Sequence, residues 1–194
     1  MRIIAGTFRS RVLDAPAGLA TRPTSDRLRE TLFNVLAPRI AGRSFLDLYA
    51  GSGAVGIEAL SRGAAKVTFV ERAAPALKVL HANLARLGIT EDFRIHSGNV
   101  ASFLRGPRAG AAGFDVVFLD PPYDAAEEYA TVLGLMGGGG AAFLAAGAVV
   151  IAEHRRKEKL QVRYGALERT RLLEQGDAAL SFYAAAATVP QQNT

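Results

Sequence analysis

The sequence predicts an α/β protein built on a mostly parallel sheet of seven strands, preceded by an N-terminal extension of one hairpin and one helix. Three observations carry this reading. From Ser44 onward, short apolar runs of strand length alternate with segments of helical periodicity. The first such run ends in a glycine-rich turn that opens a helix. The run Phe114–Leu119 is strongly apolar, as a central parallel strand covered on both faces must be. A chain of 194 residues, 49% hydrophobic and 21% charged, suffices for one well-buried domain with a small appendage.

Residues 1–14 read as a hairpin in which Ile3-Ile4 and Arg11-Val12-Leu13 flank Gly6-Thr7, closed by Pro16 and Gly18. The stretch Thr21-Arg22-Pro23-Thr24-Ser25-Asp26 starts a helix, with Ser25 or Asp26 as cap. Leu28, Leu32, Phe33, Val35 and Leu36 form its apolar face, and Pro38 stops it. Strands follow at Phe45–Tyr49, Lys66–Val70, Phe93–His96, Phe114–Leu119 and Ala148–Ala152. Between them the periodicity predicts helices over about Val55–Ser61, Ala74–Leu87 and Glu127–Met136, the last broken by Gly137–Gly140. Leu160–Tyr164 and Leu180–Ala184 complete the seven strands as an antiparallel pair. The expected organisation is an extension over 1–43, a main domain over 44–187 and a flexible tail over 188–194.

Composition excludes several chemistries. Cysteine is absent, so there is no disulfide framework, no thiolate metal site and no thiolate nucleophile for attack on a pyrimidine ring. His81, His96 and His154 are scattered, and no metal is expected. No run reaches the ~20 apolar residues of a membrane span and no signal region opens the chain, so a cytoplasmic protein without membrane contact is expected. Residues 1–43 hold eight arginines against Asp14, Asp26 and Glu30, which equals the whole formal charge of +5. Arginine grips phosphate through a planar fork, so this localised charge marks a polyanion-facing surface. A solvated face that only confers solubility is the alternative.

The turn after the first strand reads Asp47-Leu48-Tyr49-Ala50-Gly51-Ser52-Gly53-Ala54-Val55-Gly56. Gly51, Gly53 and Gly56 satisfy the dinucleotide fingerprint, and Glu71 closes the second strand, placed to accept from ribose hydroxyls. Asp47 tips the reading away from a pyrophosphate, beside which a carboxylate is awkward. S-adenosylmethionine has no phosphate and carries an ammonium group that a carboxylate suits. Asp47 is equally able to bond the turn backbone. Asn99 follows the third strand as an adenine-edge contact or a helix cap, and Val100 would pack against the ring.

Asp120-Pro121-Pro122-Tyr123 directly follows the fourth strand. Two prolines stiffen the backbone and remove two donors, leaving carbonyls to accept. A base amino group is a poor nucleophile because its lone pair is conjugated. Acceptance of its hydrogens by the Asp120 carboxylate and the Pro121 carbonyl orients the nitrogen and favours the charge that develops there. Tyr123 offers a ring for stacking an extruded base. The same four residues could instead form a rigid turn.

Four stretches resemble one family of bacterial enzymes. They are Met1–Arg11, Thr21–Glu30, Asp47–Gly63 and Asp120–Tyr123. The family is the small-subunit rRNA methyltransferases that modify the N2 amine of a guanine in 16S rRNA, of the type acting at position 966. The resemblance implies a Rossmann-like class I methyltransferase fold using S-adenosylmethionine, with 16S rRNA in the small subunit or a late assembly particle as partner. It implies that Asp47, Tyr49, Gly51, Ser52, Gly53, Glu71, Arg72, Asn99, Val100 and Thr24 bind the donor. Asp120, Pro121, Pro122 and Tyr123 would form the target-base site, and Arg2, Arg9, Arg11, Arg22, Arg27 and Arg29 would contact RNA. Guanine over adenine rests on the resemblance alone, leaving a DNA adenine methyltransferase or a non-catalytic RNA-binding protein as alternatives.

Overall fold

A computed structural model describes residues 1–15, 26–107, 113–122, 126–138 and 142–185. Among them one eight-stranded sheet runs in the order β3-β2-β1-β4-β5-β8-β7-β6. Strands β1 (Ser44–Leu48), β2 (Lys66–Glu71), β3 (Phe93–Ser97), β4 (Phe114–Leu119) and β5 (Leu144–Arg155) are mutually parallel. The sheet then closes with three antiparallel strands, β6 (Arg163–Tyr164), β7 (Leu167–Gln175) and β8 (Ala178–Ala185).

The expected seven strands are therefore eight, and the expected strand Leu160–Tyr164 contracts to the two residues of β6. Strand β7 escapes sequence reading because a register shift between Arg169 and Arg171 breaks its alternation. Leu167 and Leu173, six positions apart, would share a face in an unbroken strand. The bulge instead puts Leu167 in one apolar cluster and turns Leu173 toward the other.

Alternating strand residues divide the core into two layers. Phe45, Val67, Phe69, Val116, Phe118, Ile151 and Phe182 pack against α1 (Asp26–Leu36), α2 (Ala54–Ser61) and α3 (Ala74–Arg86). Leu46, Leu48, Val70, Val117, Leu119 and Val150 face α4 (Val100–Arg105) and α5 (Ala126–Gly137) on the other side. The short α4 is not among the predicted helices: Val100, Phe103 and Leu104 recur at helical spacing, but six residues are too few for the pattern to stand out, and only the cap reading of Asn99 pointed to it. Its start is fixed by Asn99, whose side-chain oxygen accepts from the Ser102 N–H at 3.1 Å.

The N-terminal hairpin is present, bridged at Arg2–Val12, and its Ile3 and Leu13 are buried in the same cluster as α1 and α2. It lies along α2. Ile4 and Ala5 donate backbone N–H groups to the Glu58 carboxylate at 2.8 and 3.0 Å. Thr7 N–H donates to the Ser61 carbonyl and Phe8 N–H to the Ser61 hydroxyl, at 2.8 and 3.0 Å. The helix cap expected at Ser25 and the tail over 188–194 lie outside the described residues.

Chain order reverses on either side of β1 and β4: β2 and β3 lie to one side, β5 to the other. Ligands of open α/β sheets bind at such a switch, beyond the carboxyl ends of the strands. Both chemical motifs of the sequence meet there.

Candidate active site

The β1–α2 turn is built from alternate left-handed residues: Tyr49 at φ 62°, Gly51 at 56° and Gly53 at 80°. Glycine occupies that region freely, whereas Tyr49 carries local strain. Its hydroxyl is held by the Glu128 carboxylate at 2.6 Å, tying the end of β1 to the first turn of α5. Burial, and then this bond to Glu128, push the Tyr49 phenol upward. Gly56 serves packing: a Cβ there would lie 2.3 Å from the buried Phe69 ring. Gly51 has a different surrounding, where an added Cβ would meet only the Tyr49 carbonyl oxygen at 3.9 Å. The space over the turn is thus open.

Two carboxylates frame that space. Asp47 is 1% exposed and accepts from the Gly56 N–H at 2.8 Å. Burial pushes its pKa up to about 8, against the lowering effect of that bond, and the Glu71 charge adds to the rise. Glu71 reaches from the end of β2 to accept from the Gly51 N–H at 2.8 Å. Its other oxygen accepts from the Arg72 and Ala73 N–H groups at 2.8 and 2.7 Å. The Glu71 oxygen that takes the Gly51 N–H retains a further lone pair, whereas the one shared by Arg72 and Ala73 is filled. The two acids fit a ligand with an ammonium group, whose charge draws the raised Asp47 pKa back down, and with a ribose diol, while the Glu71 charge repels a pyrophosphate. Ser52 is buried, Val100 is 3% exposed, and the Arg72 side chain points to solvent.

Sequence reasoning missed the residue that anchors this turn from behind. Asn83, fully buried on α3, donates to the Ser52 carbonyl at 3.0 Å and to the Asp14 carbonyl at 3.1 Å, and accepts from the Asp14 N–H. A polar residue inside the α3 stripe was the available signal.

Asp120 follows β4 at the switch point. Burial, and then the charges of Glu153 and Asp47, hold its carboxyl well above the ordinary range. Pro121 is buried and Pro122 exposed. Glu153, also missed, stands one residue beyond the Leu119–Ala152 pair of β4 and β5 and is 3% exposed. Tyr129 fixes that strand end by donating its hydroxyl to the Glu153 carbonyl at 2.7 Å. Beside it, His154 is occupied by the Ser181 hydroxyl and the Arg155 carbonyl, each at 2.9 Å. Thr24, Arg22 and Tyr123 lie outside the described residues.

The arginines of the extension do not form one surface. Arg2, Arg9, Arg11 and Arg27 are exposed. Arg9 sits at the hairpin tip, beside Ser61 at the far end of α2 from the glycine turn. Arg29 corrects the sequence reading: it is 0% exposed and cannot face RNA. It falls on the stripe of Leu32, Phe33 and Leu36, so α1 turns it inward. There its guanidinium donates to the Arg2 carbonyl and to Asp26 at 3.0 Å, and lies 3.8 Å from the buried Glu58.

Residues 1–184 match the protein family described as Conserved hypothetical protein 95. YlbH of Bacillus subtilis, whose name assigns it as an rRNA methyltransferase, is 36% identical over 183 residues, 94% of this chain and 98% of that protein. Ribosomal RNA small subunit methyltransferase D of Haemophilus influenzae is 43% identical over 136 residues, covering 69% of this chain and 70% of the relative. The solved structure of YhhF of Escherichia coli, named as a methyltransferase, superposes with a TM-score of 0.82 at 34% identity over 96% of this chain and 98% of that one. Fold, switch-point site and these similarities agree: the chain belongs to the Conserved hypothetical protein 95 family, the bacterial small-subunit rRNA methyltransferase D family, and is an S-adenosylmethionine-dependent methyltransferase of the Rossmann-like class I fold.

Proposed function

We propose that this enzyme methylates the exocyclic N2 amine of a guanine in 16S rRNA, of the position-966 type, within the small subunit or a late assembly particle. One observation carries the reading. The sheet brings Asp120-Pro121 to the same crevice as a glycine turn flanked by the carboxylates Asp47 and Glu71.

In this reading Asp47 meets the donor's ammonium group and Glu71 its ribose, while Asn99 and Val100 border the adenine. S-adenosylmethionine, when bound, supplies a methyl group on a sulfonium, ready for in-line displacement. Asp120 and the Pro121 carbonyl accept the hydrogens of the target amine, which aims its nitrogen and stabilises the charge that grows on it. Unprotonated Asp120 does this best. The amine becomes acidic only as the methyl arrives, so its proton leaves late, to Asp120 or to water. The prolines hold the acceptors in place without reorganisation. Exposed Arg2, Arg9, Arg11 and Arg27 contact rRNA phosphates.

Small subunits from cells lacking the enzyme, incubated with labelled donor, are expected to yield labelled N2-methylguanosine on nucleoside analysis. Labelled N6-methyladenine, or transfer only to duplex DNA, would overturn the assignment. Asp120→Ala is expected to lower transfer at least about 100-fold while donor affinity stays unchanged. Loss of donor binding would place Asp120 in the wrong pocket.

A further inference from the structure

Beyond the N-terminal extension the chain is neutral in sum but not locally: Arg155-Arg156-Lys157-Glu158-Lys159 sets four cations against one acid. Strand pairing says where this run stands. Strand β5 is parallel to β4 with Ala152 opposite Leu119, so Arg155 ends β5 about 7 Å beyond the level of Asp120. The turn that follows lies at the rim of the crevice, on the side of Asp120 away from the glycine turn. Its backbone is held. Glu158 N–H closes the turn on the Arg155 carbonyl at 2.9 Å, and Arg156 N–H donates to the Asp177 carbonyl, between β7 and β8, at 2.8 Å. Downstream, Gln161 donates its N–H to the Tyr164 hydroxyl at 3.1 Å and accepts from the Tyr183 hydroxyl at 2.9 Å. Arg156, Lys157 and Lys159 are exposed, and among the described residues none of the three is in an ion pair. Glu158, the one acid, is half-buried and its charge acts inward on His154. The outward side of the turn is thus cationic.

The crevice needs such a rim. Glu71, Glu128 and Glu153 bring carboxylates to this end of the sheet, and acids there repel the phosphates that accompany any base entering it. A base extruded into the site leaves its two flanking phosphates at the mouth. The hairpin tip with Arg9 lies at the opposite end of the sheet and Arg29 is buried, so neither compensates charge at the mouth. Resting on the RNA-substrate reading above, we propose that the β5–β6 turn is a phosphate clamp, in which Arg156, Lys157 and Lys159 hold the backbone beside the extruded nucleotide while Asp120 holds its amine. The ligand is single-stranded RNA phosphodiester, engaged through charge and independently of base identity. Because hydrogen bonds already fix the turn, its backbone needs no ordering when RNA binds.

The test measures transfer to small subunits from cells lacking the enzyme across a series of salt concentrations. The clamp variant combines Arg156→Gln, Lys157→Gln and Lys159→Gln. A control removes equal charge elsewhere through Arg39→Gln, Lys66→Gln and Lys78→Gln, all at exposed positions. The clamp variant is expected to lose at least about 30-fold in kcat/KM, part of it in kcat, because held phosphates also position the base. Its plot of log kcat/KM against log salt is expected to be shallower by about two, at about 0.7 for each phosphate. Donor affinity and Tm are expected to be unchanged, and the control to stay within about threefold of wild type. Exchange that keeps charge, Arg156→Lys with Lys157→Arg and Lys159→Arg, is expected to restore transfer to within about threefold. A wild-type salt slope in the clamp variant, or an equal loss in the control, overturns the clamp and leaves RNA methylation standing. So does a clamp variant that binds protein-free 16S rRNA as tightly as wild type yet fails on intact subunits, which makes the partner a protein. Absence of transfer from the wild-type enzyme to small subunits overturns the RNA reading itself.

Discussion

Asp47 and Asp120 are acids held protonated far above the range where free carboxyls ionise, and each has a measurable consequence. For Asp47 the folded pKa is about 8 against an unfolded 3.8. Between those values the folded state keeps a proton that the unfolded chain has released, so stability is full below about pH 4 and declines as pH rises toward 8. Asp47→Asn keeps an acceptor for the Gly56 N–H and lacks the titration. Its Tm is expected to overtake that of the wild type progressively across this window; parallel curves would contradict the shift. For Asp120, the unprotonated form is the better acceptor, and its raised pKa moves the acidic limb of kcat/KM to higher pH than an ordinary carboxyl would give. A pH–rate profile with single-turnover transfer is expected to show that limb, and Glu153→Gln is expected to move it downward. Asp47 and Asp120 were legible in the sequence because each abuts a motif. Glu153 was not, since nothing in Ala152-Glu153-His154 says that β5 lies beside β4.

Elements are joined by buried charge as well as by apolar packing. The Glu58 carboxylate is wholly buried, takes two N–H groups of the hairpin and pairs with Arg62 at 2.7 Å, with Arg29 alongside. Removing one partner leaves the other charges uncompensated, so Glu58→Ala is expected to destabilise the protein by about 3–5 kcal/mol in denaturant unfolding. A loss under about 1 kcal/mol would show that water satisfies the cluster. Gly56→Ala drives a methyl into the buried Phe69 ring and is expected to cost about 1–3 kcal/mol, whereas the surroundings of Gly51 are open. Helices and parallel strands with clean periodicity were legible. Strand β7 was hidden by its bulge, and α4 by its brevity. Arg29 was misread because a charge count along the chain ignores the helical stripe, on which Arg29 precedes Phe33 by one turn.

At the scale of the molecule, the three-layer fold places the donor turn, Asp120 and Glu153 at one end of the sheet and the hairpin tip at the other. An rRNA partner that touches both Arg9 and Asp120 must therefore wrap the face carrying α1 and α2. Neutralising Arg2, Arg9 and Arg11 together is expected to weaken small-subunit binding and to flatten its salt dependence, by about one power of salt concentration for each phosphate that is no longer neutralised. Arg27→Ala, in the first turn of α1, is expected to act more strongly on kcat/KM than on binding. Equal behaviour of both variants would place the RNA differently. Among the described residues no helix is long and apolar enough to cross a membrane.

The hairpin's attachments also impose an order on the making of the protein. Ile4 and Ala5 wait for Glu58, some fifty residues downstream, and Asp14 waits for Asn83, 69 residues downstream. The hairpin residues thus leave the ribosome well before the partners they need, and buried Arg29 has only Asp26 as counter-charge until α2 has been synthesised. A variant shortened at its N-terminus to strip away RNA contacts would strand Glu58, Ser61 and Asn83 without their backbone partners. Its first defect would be in folding yield.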